Sequence, residues 1–307
     1  MKKVLVTTNS FATCDTSPVE KLTAAGFEIT RNPYGRLLTE QELIELCGDK
    51  DAVILSTDPF TKAVIDRCPK LKVVSRYGVG VDNVDQKALA EAGIPLEITR
   101  NANSDSVADH AVGLMLDVAH HISHCSGEYR RGVFKKTQGR DLAGSKVGVV
   151  GLGAVGKGVA KRVNGFGCQV YAFDIVYDEV FMAEQHIVKA ELDAIFRECD
   201  FISLHLPSVP EYREFVNVEK LGLMKPTAIL INTARSELVC REDLLRALSE
   251  GTIGGYGADV GFHEPQTDDA FRDFPNVVIT PHNAAVTVNA IDRMSAAAVD
   301  NVLKYFR

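Results

Sequence analysis

The sequence lacks an excess of basic residues and any long apolar run, and each absence excludes a class of protein. Its 34 lysine and arginine residues are outnumbered by 41 aspartate and glutamate residues, which gives a formal net charge of −7. This balance argues against nucleic-acid binding, which a clustered basic face would favour. No apolar stretch approaches the length of a membrane-spanning helix. The apolar run in "MKKVLVTTNS" is too short for a signal peptide and predicts a first β-strand.

Cysteines with C-x-x-C spacing are also absent. The seven cysteines are scattered along the chain: Cys14, Cys47, Cys68, Cys125, Cys168, Cys199 and Cys240. An odd number without paired spacing argues against a disulfide framework. We therefore expect reduced thiols in a cytoplasmic protein, most of them small buried core residues.

What the sequence does contain is a regular alternation of short runs rich in valine and isoleucine with longer helical patterns. Strands are predicted at 3–8, 27–32, 51–56, 71–77, 95–99, 146–151, 169–174, 200–206, 228–233, 255–260 and 276–281. Helices are predicted at 17–25, 39–48, 84–92, 104–121, 155–166, 191–198, 217–223, 240–250 and 294–306. This alternation is typical of α/β folds, in which helices cover both faces of a parallel sheet. The strands are continuously apolar, as expected where both faces of a sheet are buried.

A chain of 307 residues is long enough for two domains of ordinary size. We predict two doubly wound parallel-sheet α/β domains with a cleft between them. The first covers 1–103 and the second covers 104–282, and a final segment at about 283–307 is expected to return to the first domain.

The segment "KVGVVGLGAVGKGVA" contains a G-x-G-x-x-G motif at residues 151–156. A predicted strand precedes this motif and a predicted helix follows it. Gly151 permits a tight turn, Gly153 lets a pyrophosphate approach the backbone, and Gly156 allows close packing of helix on strand. The free N–H groups and the dipole of the helix then face the phosphates.

An acidic residue follows this motif in the expected register. The next predicted strand ends at Asp174, about twenty residues further on, where a carboxylate binds the ribose hydroxyls of a dinucleotide. A 2′-phosphate would be repelled there, and the following residue, Ile175, supplies no compensating arginine. The sequence therefore predicts NAD(H) rather than NADP(H) as cofactor.

Further polar residues follow the ends of later strands. Arg235 comes after the strand at 228–233, Asp259 and Glu264 come at or after the strand at 255–260, and His282 follows Pro281. Separately, each has an ordinary interpretation as a loop or turn residue. Together they supply an anion binder, an orienting carboxylate and a group that titrates near neutral pH. In doubly wound sheets, ligands bind beyond this carboxyl edge.

An ordered series of motifs resembles the NAD-dependent D-2-hydroxyacid dehydrogenase family, close to its phosphoglycerate dehydrogenase branch. The motifs are "SRYGVGVDNVD" (75–85), "NANSDSVADHAVGLML" (101–116), "VGLGAVGK" (150–157), "SLHLP" (203–207), "INTARSELV" (231–239), "ADVGFHEP" (258–265) and "TPHNAA" (280–285). The resemblance implies a flavodoxin-like substrate-binding domain at 1–103 and a Rossmann NAD domain at 104–282. It also implies hydride transfer between the cofactor and C2 of a D-2-hydroxy acid or 2-oxo acid.

The resemblance assigns a role to each candidate. Arg235, Glu264 and His282 form the catalytic triad: His282 moves a proton at the substrate oxygen, Glu264 orients its ring, and Arg235 binds the substrate carboxylate. Asp259 accepts a hydrogen bond from the nicotinamide carboxamide. The implied NAD contacts are Gly151, Gly153, Ala154, Val155, Gly156, Asp174, Leu206, Pro207, Thr233, Ala234, Asp259 and Ser106. The implied substrate contacts are Arg76, Gly78, Val79, Gly80 and Arg100.

The substrate itself is less well defined. An arginine at position 76 in the phosphoglycerate branch meets a second anion, so we expect a substrate with a phosphate or phosphonate. Arg100, where the family often has proline, fits a solvated hinge cation as well as a substrate contact. The alternative activity is a glyoxylate or hydroxypyruvate reductase. The alternative of another class is an NADH-sensing, corepressor-like binding protein, whose partner-binding tails this chain lacks.

Three further expectations concern partners and regulation. The basic segment 127–140 follows the long helix and, by the resemblance, contributes to a homodimer. His120 and His124 lie one helical turn apart, but helix C-termini favour histidine without any metal, so no metal site is predicted. Because the chain ends after one further helix, feedback through a C-terminal regulatory domain is not expected.

Overall fold

The computed structural model describes residues 1–264 and 266–306, and these form two compact α/β units. Met1–Asn103 and Ala285–Arg307 make up unit 1, and Ser104–Ala284 make up unit 2. Pro265, the last residue of the motif at 258–265, and Arg307 lie outside the described residues.

Unit 1 contains a parallel sheet covered by helices on both faces. Its described strands are β1 (Lys2–Val6), β2 (Phe27–Arg31), β3 (Ala52–Leu55), β4 (Val73–Arg76) and β5 (Leu96–Ile98). Its described helices are α1 (Ser17–Ala24), α2 (Glu40–Cys47), α3 (Lys62–Ile65), α4 (Gln86–Glu91) and α12 (Val288–Leu303). The strand order β2-β1-β3-β4-β5 is the flavodoxin-like doubly wound order.

Local sequence signals explain how these elements begin and pack. Helix α2 begins with a capping box, in which Thr39 Oγ1 accepts from the Glu42 amide and the Glu42 carboxylate accepts from the Thr39 amide. Helix α12 packs its small and apolar residues against β3 and β4. The Tyr77 hydroxyl, at the end of β4, donates to the Ile291 carbonyl of α12 at 3.1 Å. The C-terminal helix is therefore part of the core of unit 1.

Unit 2 contains a larger parallel sheet. Its described strands are β6 (Lys146–Val150), β7 (Gln169–Phe173), β8 (Val188–Lys189), β9 (Phe201–Leu204), β10 (Ile229–Asn232), β11 (Gly255–Ala258) and β12 (Val277–Ile279). Its described α-helices are α5 (Ser104–His120), α6 (Ile122–Arg130), α7 (Ala154–Gly165), α8 (Glu179–Glu184), α9 (Leu192–Glu198), α10 (Val218–Leu223) and α11 (Arg241–Ser249). Short 3-10 helices lie at Pro210–Tyr212, Ser236–Leu238 and Asp269–Phe271.

The order β12-β11-β10-β9-β6-β7-β8 reverses its winding direction between β6 and β9. This reversal is the topological switch point at which Rossmann sheets bind dinucleotides. Helix α5 lies close against β11: a Cβ at Gly257 would come 3.2 Å from the Leu114 Cβ and 2.8 Å from Ile231 Cδ1. A glycine in this strand therefore lets the helix approach the sheet.

The predicted α/β class with two doubly wound parallel sheets is confirmed. The sequence prediction missed β8, α3 and α8, which contain two, four and six residues. Elements this short do not repeat the hydrophobic period often enough for it to be recognised in the sequence. Helix α12 begins at Val288 rather than at 294, and α6 occupies part of the segment expected to be an arm. Among the described residues, no helix combines the length and apolar character needed to cross a membrane.

Candidate active site

The sheet of unit 2 brings the three predicted catalytic residues to one edge. Strands β10, β11 and β12 are neighbours, and their last residues are in register: Asn232 pairs with Ala258, and Ala258 pairs with Ile279. Arg235 follows the first strand, Glu264 follows the second and His282 follows the third. The loops that contain these three residues therefore begin next to one another at the same edge of the sheet.

His282 and Glu264 form a direct pair. The ring Nδ1 of His282 lies 3.0 Å from Glu264 Oε2, while Glu264 Oε1 accepts from the Gly261 amide at 2.7 Å. Burial by itself raises the pKa of Glu264, but the hydrogen bonds from His282 and Gly261, together with the charges of His282 and Arg235, lower it below its ordinary value. Glu264 is therefore ionised at neutral pH and can hold the histidine ring in one orientation.

His282 adopts a left-handed backbone conformation, with φ of +53°. Its own amide donates to the Thr280 carbonyl at 2.9 Å, which closes a tight turn across Pro281. Such conformations are uncommon outside glycine, and histidine is among the residues that adopt them more often. The proline ends the strand, and the turn after it presents the imidazole.

Asp259 fixes the segment that carries His282. Its side chain is 2% exposed and accepts three hydrogen bonds at 2.6 to 2.7 Å, from Thr280 Oγ1 and from the amides of Asn283 and Ala284. The acceptors lie on one carboxylate and the donors lie on both sides of His282. The structure thus gives Asp259 a positioning role, in addition to the nicotinamide contact that the resemblance implies.

Sequence reasoning missed His110 and Thr280, which complete this cluster. His110, on α5, has its Nε2 2.9 Å from Thr280 Oγ1 and 3.5 Å from Asp259 Oδ1. His110 and Thr280 are separated by 170 residues, so no local spacing links them. The motif at 101–116 contained His110 but gave no indication of its partner.

Arg235 lies at the start of the 3-10 helix after β10. The Asn232 side chain donates to the Arg235 carbonyl at 2.8 Å, and Arg235 Nη1 donates to the Ala234 carbonyl at 2.8 Å. The positive charge of Arg235 also contributes to the lowered pKa of Glu264. The arginine is therefore electrostatically coupled to the histidine–glutamate pair.

A second histidine at the carboxyl edge is poorly suited to donate a proton near neutral pH. His205 follows β9, and its Nε2 lies 2.9 Å from Ser203 Oγ. Burial lowers the pKa of His205 to about 4, so its ring is neutral near pH 7.

The glycine motif after β6 has the geometry of a phosphate cradle. Gly151 has φ of +97°, and a Cβ at Gly156 would lie only 1.9 Å from the Gly151 carbonyl oxygen. A Cβ at Gly153 would meet no protein atom within 4 Å. The first N–H groups of α7, including those of Ala154 and Val155, have no partner within the helix. The loop is therefore closed on the protein side and open where an anion would lie.

The other predicted cofactor residues of unit 2 surround the same sheet edge. Asp174 directly follows β7, and its carboxylate accepts from the amides of Leu152 and Val176. Thr233 Oγ1, directly after β10, is buried and has no hydrogen-bond partner among the described residues. Leu206 is buried and Pro207 is exposed just after β9, and Ser106 is buried in the first turn of α5. The open face at Gly153 and the unpartnered Thr233 hydroxyl fit a bound dinucleotide.

Unit 1 contains the predicted carboxylate-binding loop after β4. Gly78 has φ of +141°, and its amide donates to Thr99 Oγ1 at 2.8 Å. The amides of Val79 and Gly80 have no acceptor in the described parts of the chain, 1–264 and 266–306. Two free, consecutive N–H groups make a suitable anion-binding concavity.

The two arginines predicted to contact substrate differ in environment. Arg76 is only 5% exposed, and its guanidinium donates to the Gly80 carbonyl at 2.8 Å and to the Tyr77 carbonyl. Arg76 therefore holds the backbone of the 78–80 loop in place through these hydrogen bonds. Arg100 is exposed, directly after Thr99.

Within residues 1–264 and 266–306, no three or more histidine, cysteine, aspartate or glutamate side chains are placed to hold a metal ion. His120 and His124 thus have no third potential ligand in that part of the chain.

Comparison with known proteins places these features in a family. A family model described as D-isomer specific 2-hydroxyacid dehydrogenase, NAD binding domain, matches residues 112–284. A glyoxylate reductase of Korarchaeum cryptofilum is 34% identical over 277 residues, covering 88% of this chain and 83% of the relative. A D-3-phosphoglycerate dehydrogenase of Methanocaldococcus jannaschii is 36% identical over 275 residues, covering 88% of this chain and 52% of the relative. The chain thus spans about half the length of that second protein.

Solved structures agree. A crystal structure of a Thermus thermophilus protein superposes with a TM-score of 0.89 at 34% identity, covering 99% of this chain and 96% of that one. The apo-structure of D-lactate dehydrogenase from Escherichia coli gives a TM-score of 0.84 at 28% identity, covering 98% and 96%. The chain therefore belongs to the NAD-dependent D-2-hydroxyacid dehydrogenase family, with residues 112–284 forming its NAD-binding domain.

Proposed function

We propose that this enzyme reduces a short 2-oxo acid to its D-2-hydroxy acid, reversibly, with Arg235, Glu264 and His282 as catalytic residues. The observation that supports this most is the 3.0 Å contact between His282 Nδ1 and the Glu264 carboxylate at the ends of adjacent strands. A histidine held by a carboxylate is suited to general acid–base work near neutral pH.

The roles follow from the hydrogen bonds. Because Nδ1 of His282 faces Glu264, Nε2 is the ring atom left for the substrate, and it donates a proton to the carbonyl oxygen during reduction. The ionised Glu264 stabilises the protonated ring before that transfer. Arg235 offers a planar donor fork to the substrate carboxylate. NADH, when bound, supplies the hydride to substrate C2.

We assign the remaining substrate contacts to unit 1. The free amides of Val79 and Gly80 are proposed to bind the substrate carboxylate. Gly78 is proposed to give the loop its shape, and Arg76 stabilises that shape by donating a hydrogen bond to the Gly80 carbonyl at 2.8 Å. Arg76 is thus a positioning residue in this proposal, rather than the second-anion contact expected from sequence.

Two substrate classes are supported by different observations. The burial of Arg76 favours a small acid such as glyoxylate or hydroxypyruvate, on which relatives named glyoxylate reductase and hydroxypyruvate reductase act. The exposed Arg100 beside the loop favours an acid with a second anionic group, as in relatives named D-3-phosphoglycerate dehydrogenase. A comparison of hydroxypyruvate with 3-phosphohydroxypyruvate separates the two.

We also propose that the enzyme is a cytoplasmic homodimer. The seven cysteines are free thiols, as in reducing compartments. Tyr129 on α6 and Phe134 in the following segment are 70% and 86% exposed, which is unusual for large aromatic rings. A second copy of the chain is the proposed partner of these rings.

The dimer proposal predicts a change in mass on mutation. Native protein should have twice the chain mass of 33.4 kDa in light scattering, and a Tyr129→Asp and Phe134→Asp double variant should be monomeric. Val180→Asp, at a residue that is 70% exposed on α8, is the control and should leave the mass unchanged. A native monomer would reject the proposal.

The cofactor cradle gives a sharp test with Gly153→Ala. The new methyl group meets no protein atom, so thermal stability should fall only slightly, as expected for alanine at this helix N-cap, but it fills the space proposed for the pyrophosphate. We expect at least about a tenfold weaker NADH affinity by fluorescence titration, or about 1.4 kcal/mol. Gly165→Ala, also in open space at the end of α7, should retain native affinity. Equal affinities in both variants would place the dinucleotide elsewhere.

His282→Ala tests the proposed acid. The fold and NADH affinity should persist, while kcat should fall by about 10²- to 10⁴-fold, the usual contribution of one general acid. His186→Ala, an exposed histidine that also has positive φ, is the matched control. Steady-state NADH oxidation measures both, and unchanged turnover in His282→Ala would remove His282 from the mechanism.

Glu264→Gln tests the pairing. Glutamine keeps a hydrogen-bond acceptor but removes the charge that stabilises the protonated ring, so protonation of the ring requires more acidic solution. The descending limb of the reduction rate against pH should therefore move to lower pH. In the wild-type enzyme, the lowered pKa of Glu264 keeps this carboxylate ionised until the pH falls below the ordinary range of a glutamate. A profile that stays in place would argue that Glu264 does not act through His282.

A further inference from the structure

The loops at the carboxyl ends of the unit 1 strands contain few cations. Between each strand and the next helix, the lysine and arginine residues are Arg36, after β2, and Arg100, after β5. Arg36 makes two hydrogen bonds to the Glu42 carboxylate, at 2.9 and 2.6 Å. Arg100 makes no hydrogen bond or ion pair in the described parts of the chain. Among the cations of these loops, Arg100 is therefore the one available to a ligand.

Arg100 is attached to the proposed carboxylate-binding loop. The residue before it, Thr99, donates through its amide to the Gly78 carbonyl at 3.0 Å, and its Oγ1 accepts from the Gly78 amide at 2.8 Å. Thr99 is fully buried, so this double contact fixes the base of Arg100 relative to Val79 and Gly80. The two segments are therefore one rigid feature of unit 1.

Val79 and Arg100 also line the same open cavity, of about 610 Å³. The Val79 side chain, which belongs to the 78–80 loop, is 46% exposed. The other walls, from α4 and β5, are largely apolar. A substrate whose carboxylate lies on the Val79 amide would have room for its remaining atoms beside Arg100.

The acidic residue in this cavity, Glu97, is already paired. Its carboxylate accepts from Lys304 Nζ and from the Tyr305 hydroxyl, each at 2.6 Å. The hydrogen bonds from Lys304 and Tyr305 hold the pKa of Glu97 below its ordinary value. The nearby charge of Arg100 contributes less to this lowered pKa, and Arg100 makes no hydrogen bond to Glu97, so its guanidinium donors remain for an incoming anion.

We propose that Arg100 selects 2-oxo acids that carry a second anionic group, a phosphate or a carboxylate, beyond C2. This inference rests on the proposed function, since it assumes that the 78–80 loop holds the substrate carboxylate. A guanidinium bound to such a group forms charge-assisted hydrogen bonds, which are stronger than neutral ones. Arg100 is thus a specificity-determining residue, while Arg76 shapes the loop.

The experiment compares two matched substrate pairs by NADH oxidation. Each pair contains an anionic and a neutral tail: 3-phosphohydroxypyruvate with hydroxypyruvate, and oxaloacetate with 2-oxobutyrate. Wild-type protein, Arg100→Gln, Arg100→Lys and Arg67→Gln are compared. Arg67, which precedes β4 at the amino edge of the sheet, is exposed, so Arg67→Gln makes the same charge change away from the site.

In at least one pair, the wild-type enzyme should have a kcat/KM about tenfold or more higher for the anionic acid than for the neutral acid. A tenfold ratio corresponds to a difference of about 1.4 kcal/mol in activation free energy. Arg100→Gln should remove this preference, chiefly by lowering kcat/KM for the anionic member of the pair. Arg100→Lys should retain part of the preference for the anionic acid, and Arg67→Gln should retain all of it. The substrate pair in which the preference is seen shows whether the second anionic group is a phosphate or a carboxylate. The wild-type preference should also narrow as ionic strength rises.

Two outcomes would overturn the proposal. A wild-type enzyme that reduces the neutral acids without preference, or a preference that survives Arg100→Gln, would leave Arg100 a solvated cation and the proposed function intact. Failure of wild-type protein to reduce all four acids would instead overturn the proposed function, and this inference with it.

Discussion

Parallel strands deliver their carboxyl ends to one edge of a sheet, and this constraint decides where the candidate active site lies. In unit 2, β10, β11 and β12 end in register, so the residues after them emerge as neighbours. Arg235, Glu264 and His282 need no local contact in sequence to meet. The same constraint in unit 1 places the 78–80 loop beside Thr99, since β4 and β5 are adjacent.

Burying the Asp259 carboxylate converts this general placement into a precise one. A carboxyl group that is 2% exposed is costly to bury unless donors compensate it, and three donors from residues 280–284 do so. Those donors must stay in place to satisfy the carboxyl oxygens, which holds the turn at His282 in its left-handed conformation. The hydrogen bonds that compensate the burial of Asp259 therefore also restrict the backbone around His282.

The sequence predicted the sheet edges and the glycine loop well because both have local signals. Apolar runs mark the strands, and the spacing from Gly151 to Asp174 marks the dinucleotide fold. It did not predict the surroundings of Arg76, because whether a strand-end arginine faces a ligand or its own loop depends on the path of residues 77–80. The link from His110 to Thr280 was missed for the same reason, since only tertiary packing joins them. Short elements such as β8 lacked enough residues for a pattern.

The net charge of −7 does not conflict with an anionic substrate and cofactor. The proposed anion contacts are backbone amides at Val79, Gly80 and the start of α7, joined by the guanidinium of Arg235. These donors act at hydrogen-bond distance, whereas charges elsewhere on the surface are screened over about 8 Å at physiological ionic strength. The hydrogen-bond donors within each proposed site, rather than the net charge of the protein, therefore determine the affinity for anions. A single exposed guanidinium such as that of Arg100 can then change which substrate is preferred without altering the charge character of the whole protein.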